Sequence, residues 1–165
     1  MFNSNLATVT LTAAIGSGLV AGVFFAFSTF VMSALARLQP PQGITAMQSI
    51  NITAIDPWFM TAFLGTAVAC FFLAVAALFK WHQPSAAYLL VGSLFYLIGT
   101  FGVTVVCNVP LNDVLAIVKP DSTEGASLWA KYLTDWTRWN HVRTLAALIA
   151  AVLFTIALRD RATLT

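Results

Sequence analysis

Charged side chains are so unevenly spread along this chain that four long apolar stretches lie between them. The first charged residue is Arg37, and a membrane-spanning helix needs about 20 mostly apolar residues. The pattern predicts four spans, approximately at residues 6–35, 58–79, 86–107 and 139–158. Arg143 falls inside the fourth span, where a long side chain can snorkel towards the interface.

The composition supports this pattern. Of the 165 residues, 59% are hydrophobic and 8% are charged, whereas soluble domains carry about 25% charged residues. We therefore predict an all-α protein, a four-transmembrane-helix bundle in which residues 1–165 form a single domain. Its expected location is a bacterial inner membrane, with the lipid bilayer as partner and a homo-oligomer as a further expectation. The net charge of +2, without a Lys/Arg cluster, excludes nucleic-acid binding.

Small residues recur every four positions in the first span, at Ala14, Gly18, Gly22 and Ala26. In lipid, small side chains let helix backbones approach closely, and van der Waals packing then holds the helices together. We expect this face to pack against the neighbouring spans.

The third span carries polar side chains on one helix face. They follow one another at steps of four: Tyr96, Thr100, Thr104 and Asn108. Pro110 has no backbone N–H and clashes with the preceding turn, so we expect the helix to kink or end there. Bare carbonyls would then lie beside the amides of Asn108 and Asn112, ahead of a loop over residues 113–127.

A second group of aromatic and polar residues leads into the fourth span. Its members recur at steps of three or four, the period of one helix face: Trp129, Tyr132, Trp136, Asn140 and Arg143. The spacing predicts an amphipathic helical segment over residues 127–138. An aromatic belt at the membrane interface is the alternative, but it does not account for Asn140, His141 and Arg143.

The alternation of spans places both polar groups at the same membrane surface, beside the loop of residues 37–56. Such a bundle, apolar inside and polar at its rim, suits a hydrophobic aromatic small molecule. His82 and His141 fall on opposite surfaces and cannot share a metal ion, so we predict no metal site. His141 alone could be a base, because imidazole titrates near neutral pH; a hydrogen-bonded structural role is the alternative.

Four segments of the chain resemble one family of small integral membrane proteins, the domain of unknown function 1772, which includes the anthrone oxygenases. The segments appear in the family's order: Gly22-Val23-Phe24-Phe25-Ala26-Phe27-Ser28, Met47-Gln48-Ser49-Ile50-Asn51, Asn108-Val109-Pro110-Leu111-Asn112, and Trp129-x-x-Tyr132-x-x-x-Trp136-x-x-x-Asn140-His141-Val142-Arg143.

The resemblance implies a four-span fold and, in the characterised branch, oxidation of an anthrone to an anthraquinone without a conventional cofactor. A substrate of polycyclic aromatic or quinol type is the corresponding expectation. On the matching motif positions, side-chain chemistry favours His141 as base and Arg143 as partner of the developing oxyanion. The remaining positions would bind substrate, three amides by orienting it and two rings by stacking on it: Asn108, Asn112, Asn140, Tyr132 and Trp136.

A non-catalytic membrane protein is the main alternative. The same polar cluster would then lock the helices together, at about 0.6 to 2 kcal/mol for each hydrogen bond, and bind a lipid or a protein partner. A transporter has less support, because the chain shows neither an inverted repeat nor a pair of broken helices.

Carbonate extraction of membranes that contain the protein tests the membrane assignment. Four apolar spans should keep the protein in the membrane pellet, because alkaline carbonate strips only peripheral proteins. Release into the supernatant would contradict the assignment.

Overall fold

Five helices and no strand make up the described part of the chain. The computed structural model describes residues 4–162, with side chains to residue 160. The helices are α1 (Ser4–Leu35), α2 (Pro40–Thr53), α3 (Pro57–Phe79), α4 (Ala86–Ile117) and α5 (Thr123–Ala162). Helices α1, α3, α4 and α5 are long and apolar enough to cross a membrane. They pack in a ring, in which α1 and α4 each contact α3 and α5. The predicted all-α four-span bundle is confirmed.

Two segments that the sequence analysis treated as loops are largely helical. Helix α2 occupies most of residues 37–56. Its two prolines do not prevent the helix, because they lie in its first turn, where the backbone N–H has no intrahelical partner to lose. Asp56 then caps α3: its Oδ1 accepts from the backbone N–H of Trp58 at 2.8 Å. The expected loop after the third span shrinks to residues 118–122, because α4 and α5 are longer than the predicted spans.

Helix α4 continues past Pro110, so the expectation that it could end there is wrong. Two π-helical stretches precede the proline, Phe95–Gly102 and Thr104–Asn108. Pro110 lies in the first turn of the α-helical stretch Val109–Ile117 that follows. The change of hydrogen-bond pattern puts the proline at a position where its missing N–H is tolerated.

Helices α1, α4 and α5 extend beyond the start of α3, on the side of the bundle where α2 lies. Phe59, near the start of α3, packs against Phe24 with ring centroids 6.4 Å apart. Helix α1 therefore continues for eleven residues past Phe24, ending at Leu35. Helix α5 has 40 residues, which is about 60 Å of helix against about 30 Å of hydrocarbon. Its first turns therefore project from the membrane and form a rim with α2 and the ends of α1 and α4.

Two hydrophobic cores result, one in the bundle and one in the rim. The bundle core contains small, aliphatic and aromatic residues of all four spans, among them Ala13, Phe63, Leu73, Leu89 and Phe154. The rim core joins α2 to its neighbours and contains Met32, Leu35, Ile44, Met47, Leu115, Trp129, Tyr132 and Trp136. Gln48 tightens the rim by donating to the carbonyls of Leu115 and Val118 at 2.8 and 3.1 Å, where α4 ends.

The expected packing face of α1 is wrong. Gly18 and Gly22 are exposed, and a Cβ added to either would meet nothing within 4 Å. The buried face instead includes Ala13, Gly16 and Val20. Spacing identified a face of small residues, but lipid and a neighbouring helix are both apolar, so spacing alone did not say which of them this face meets.

Gly16 and Gly18 form a matched pair for testing this packing. A side chain at Gly16 would collide with Thr66 of α3, so Gly16→Leu should destabilise the bundle by about 1–3 kcal/mol, the usual cost of overpacking. Gly18→Leu should leave stability unchanged. Thermal unfolding of both variants in detergent measures the difference, and equal melting temperatures would contradict the assignment of the α1 face.

Candidate functional site

Arg143 is the centre of a polar layer between the two hydrophobic cores. Its side chain is 4% exposed, although it belongs to a membrane-spanning helix. One terminal nitrogen, Nη2, donates to Oδ1 of Asn140 at 2.6 Å, and Nη1 donates to Oγ1 of Thr104 at 3.2 Å. Two aromatic faces complete the contact, with the guanidinium carbon 4.1 Å from the ring centroid of Phe24 and 5.0 Å from that of Trp136.

All of these contacts come from neutral groups. Among the described residues no carboxylate pairs with Arg143; the acid nearest in sequence, Asp135, pairs instead with Lys131 at 3.2 Å. A charge inside a bilayer is expensive and is normally paired or functional. The amide and hydroxyl oxygens offset part of the desolvation cost, and cation–π contact adds about 2 kcal/mol in a dry setting. No anion among the residues that the structure describes compensates the positive charge.

Asn140 connects α5 to α1. Its Nδ2 donates to the backbone carbonyl of Phe24 at 2.7 Å and to Oγ of Ser28 at 2.8 Å. The Phe24 carbonyl can only accept and the guanidinium can only donate, so Nδ2 must face α1 and Oδ1 must face Arg143. Thr144 extends the connection, because its Oγ1 lies 3.2 Å from Oγ of Ser28 on α1 while it donates to the carbonyl of Asn140 at 2.8 Å.

Asn108 connects α4 to α5. It is 1% exposed, and its Nδ2 donates to the backbone carbonyl of Trp136 at 3.1 Å. Its Oδ1 is buried without a hydrogen-bond partner among the described residues, as is Nε of Arg143. The polar face predicted for α4 therefore points into the bundle, where Thr100 also donates to the carbonyl of Arg143 at 3.4 Å.

Asn112, Tyr132 and Trp136 form a closed arrangement at the rim. Oδ1 of Asn112 accepts from the Tyr132 hydroxyl at 2.8 Å and from Nε1 of Trp136 at 2.9 Å. The Tyr132 ring stacks between Trp129 and Trp136, with centroids 5.6 and 6.2 Å apart and planes within 22°. Both faces of Tyr132 are therefore covered, and the predicted stacking of this ring on a substrate does not fit this arrangement.

His141 lies outside the polar layer. Its side chain is exposed, whereas Asn140 and Arg143 are buried. Successive residues of a helix project about 100° apart, so His141 points away from the direction of the Asn140 side chain. The structure thus brings together Asn108, Asn112, Tyr132, Trp136, Asn140 and Arg143, and it leaves the expected base on the lipid-facing or solvent-facing surface.

Several residues of the layer were given no role by the sequence. Phe24 and Ser28 lie in the first of the four matching segments, but nothing in that segment distinguishes them from the other phenylalanines and small residues. A π-helical stretch, Phe27–Val31, follows directly after the Phe24 carbonyl that binds Asn140. Single π turns are frequent at functional sites, and apolar sequence does not reveal them.

A metal site has no support in the described residues, because no three of their histidine, cysteine, aspartate and glutamate side chains come together. The donors of the polar layer are amides, hydroxyls, indoles and one guanidinium. This set suits an anionic oxygen and its hydroxyl neighbours better than a cation.

Comparison with known protein families gives a match over much of the chain. The family model described as Anthrone oxygenase matches residues 59–153, more than half of the 165 residues. The matched range covers α3, α4 and most of α5, including every predicted site residue. No curated protein and no solved structure matches the chain. The chain therefore belongs to the anthrone oxygenase family.

Proposed function

We propose that this protein is an oxygenase that converts a polycyclic aromatic ketone or quinol-type substrate, such as an anthrone, with O₂. One observation carries the proposal: the buried guanidinium of Arg143 has no carboxylate partner among the described residues. A fixed positive charge in a dry, aromatic environment stabilises a delocalised aromatic oxyanion more strongly than water does. Family membership supports the same class of reaction.

The chemistry requires little more than stabilisation of that anion. An anthrone loses a proton from its saturated ring carbon and becomes an anthrolate, whose negative charge resides largely on oxygen. One electron passes to O₂, and the radical and superoxide combine into a carbon–oxygen bond. The peroxide takes up a proton and loses water, so anthrone and O₂ give anthraquinone and one H₂O. Arg143 lowers the free energy of the first anion, which is the species that reduces O₂.

The polar layer contains no residue positioned as the base. His141 is exposed, and the buried partners of Arg143 are amides, hydroxyls and rings. We therefore propose that the proton leaves to water at the rim, and that Arg143 makes this loss favourable by binding the anion. Trp136 supplies the aromatic surface next to the charge, at 5.0 Å.

A structural function is the second candidate, and the hydrogen bonds of the two asparagines favour it. Asn140 joins α5 to α1, and Asn108 joins α4 to α5. Such bonds staple helices within a bilayer. A lipid headgroup phosphate would then be the anion that compensates Arg143.

Location and assembly belong to the same proposal. Helical spans with exposed apolar surfaces, such as Leu19, Phe72 and Leu145, are typical of proteins in the lipid bilayer of an inner membrane, whereas bacterial outer-membrane proteins are β-barrels. A homo-oligomer stays a prediction.

Arg143→Gln separates the two candidates. If Arg143 stabilises the oxyanion, the variant should lose about 100- to 1,000-fold in kcat, the usual effect of removing one oxyanion donor, while retaining its melting temperature within a few degrees. Arg138→Gln, on an exposed turn of the same helix, is the matched control and should keep full activity. Anthraquinone formation from anthrone by purified protein is measured against protein-free detergent, because anthrones also oxidise slowly by themselves.

The outcomes are distinct. Wild-type protein that does not exceed the protein-free rate, together with a large loss of stability in Arg143→Gln, would support the structural function instead. His141→Ala tests the route of the proton: turnover at the wild-type level supports release to water, and a 100-fold loss would show that His141 is the base after all.

A further inference from the structure

Two buried polar atoms of opposite character in the polar layer have no hydrogen-bond partner among the described residues. One is Nε of Arg143, a donor, and the other is Oδ1 of Asn108, an acceptor. Their side chains are 4% and 1% exposed. Leaving a buried polar atom unpaired is costly, and such atoms in a folded protein call for an explanation, a ligand being one.

The orientation of the Asn108 amide is fixed by its surroundings. Its Nδ2 lies 3.1 Å from the carbonyl oxygen of Trp136, which can only accept a hydrogen bond. A flipped amide would bring two acceptor oxygens together. Oδ1 must therefore be the unpaired atom, and it can only accept.

The side chains of Asn108 and Arg143 lie in the same part of the polar layer. Thr104, which accepts from Nη1 of Arg143 at 3.2 Å, precedes Asn108 on α4 by about one helical turn, roughly 5 Å. Trp136 lies against both residues, through its carbonyl for Asn108 and its ring for Arg143. Thr104 is only half-buried, so the layer reaches the surface of the bundle along α4.

We infer that Asn108 is a specificity-determining residue, whose Oδ1 accepts a hydrogen bond from a hydroxyl group on the aromatic substrate while Arg143 binds the ionised oxygen. The inference rests on the proposed function, because it concerns the same site. It assigns Asn108 a task separate from anion stabilisation: recognition of a protonated oxygen on the substrate besides the oxygen that ionises. A site built to accept from a hydroxyl discriminates strongly against an analogue that lacks it.

Binding without turnover tests this inference. Wild-type protein in detergent is titrated under nitrogen, and quenching of tryptophan fluorescence reports binding. The probes are anthrone, the four anthrones that carry one hydroxyl group on an outer ring, and the methyl ethers of those four. At least one hydroxyanthrone should bind at least tenfold more tightly than anthrone and than its own methyl ether, which cannot donate. Leucine has nearly the same shape as asparagine, so Asn108→Leu should bind anthrone, that hydroxyanthrone and its methyl ether equally tightly.

Controls separate this inference from its foundation. Asn5→Leu makes the same change at an exposed position near the start of α1 and should keep the wild-type preference. Equal binding of hydroxyl and methyl-ether probes by the wild type, or an undiminished preference in Asn108→Leu, would overturn the role of Asn108 while leaving the proposed oxygenase intact. Failure of the wild type to bind any probe would overturn both. If Asn108→Leu does not fold, Asn108→Ala replaces it and is expected to lose the same preference. The wild-type protein also tests the inference without any variant, because equal binding of a hydroxyanthrone and its methyl ether would contradict it.

Discussion

A single positive charge held among neutral partners governs this protein. Burying an arginine within a membrane-spanning helix is expensive, and Arg143 is buried without an acid as partner among the described residues. Asn140 and Thr104 accept from its terminal nitrogens, while Phe24 and Trp136 cover its faces. Each of these groups lies on a different turn or helix, so the charge can be held only when α1, α4 and α5 are packed together.

The irregular helical turns follow from this requirement. Residues at steps of four drift around an α-helix, because one turn takes about 3.6 residues. The wider π-helical turns of α4 counter that drift and keep Tyr96, Thr100 and Asn108 all fully buried on one line. In α1 the π-helical stretch begins just beyond Phe24, whose carbonyl accepts from the Asn140 side chain. The helices thus depart from regular geometry where polar groups must meet.

The rim supports the layer from the water side. Helix α2 and the stacked rings of Trp129, Tyr132 and Trp136 form an apolar core above the charge. Water is kept from Arg143 by this core and by the bundle core below it, and a low-dielectric surrounding strengthens every electrostatic contact inside it. The same exclusion of water serves both an oxygenase, which must protect a reactive anion, and a helix staple.

The sequence by itself determined the class of fold and most of the members of the polar layer. Long uncharged runs leave no soluble alternative, and steps of three or four placed Asn108, Asn140 and Arg143 on helix faces that do meet. It could not decide which faces those are. Gly18 belongs to a regular series of small residues, and His141 directly follows Asn140, yet both face outward.

Only the tertiary structure settled these points. In a bilayer, lipid and protein are both apolar, so hydrophobic periodicity loses the contrast that identifies a buried face in water. Directions of side chains then depend on which helices pack together and where their turns widen. That is why the pairing of Arg143 with neutral groups, the covered faces of Tyr132 and the unpaired oxygen of Asn108 appear only when α1, α4 and α5 are assembled.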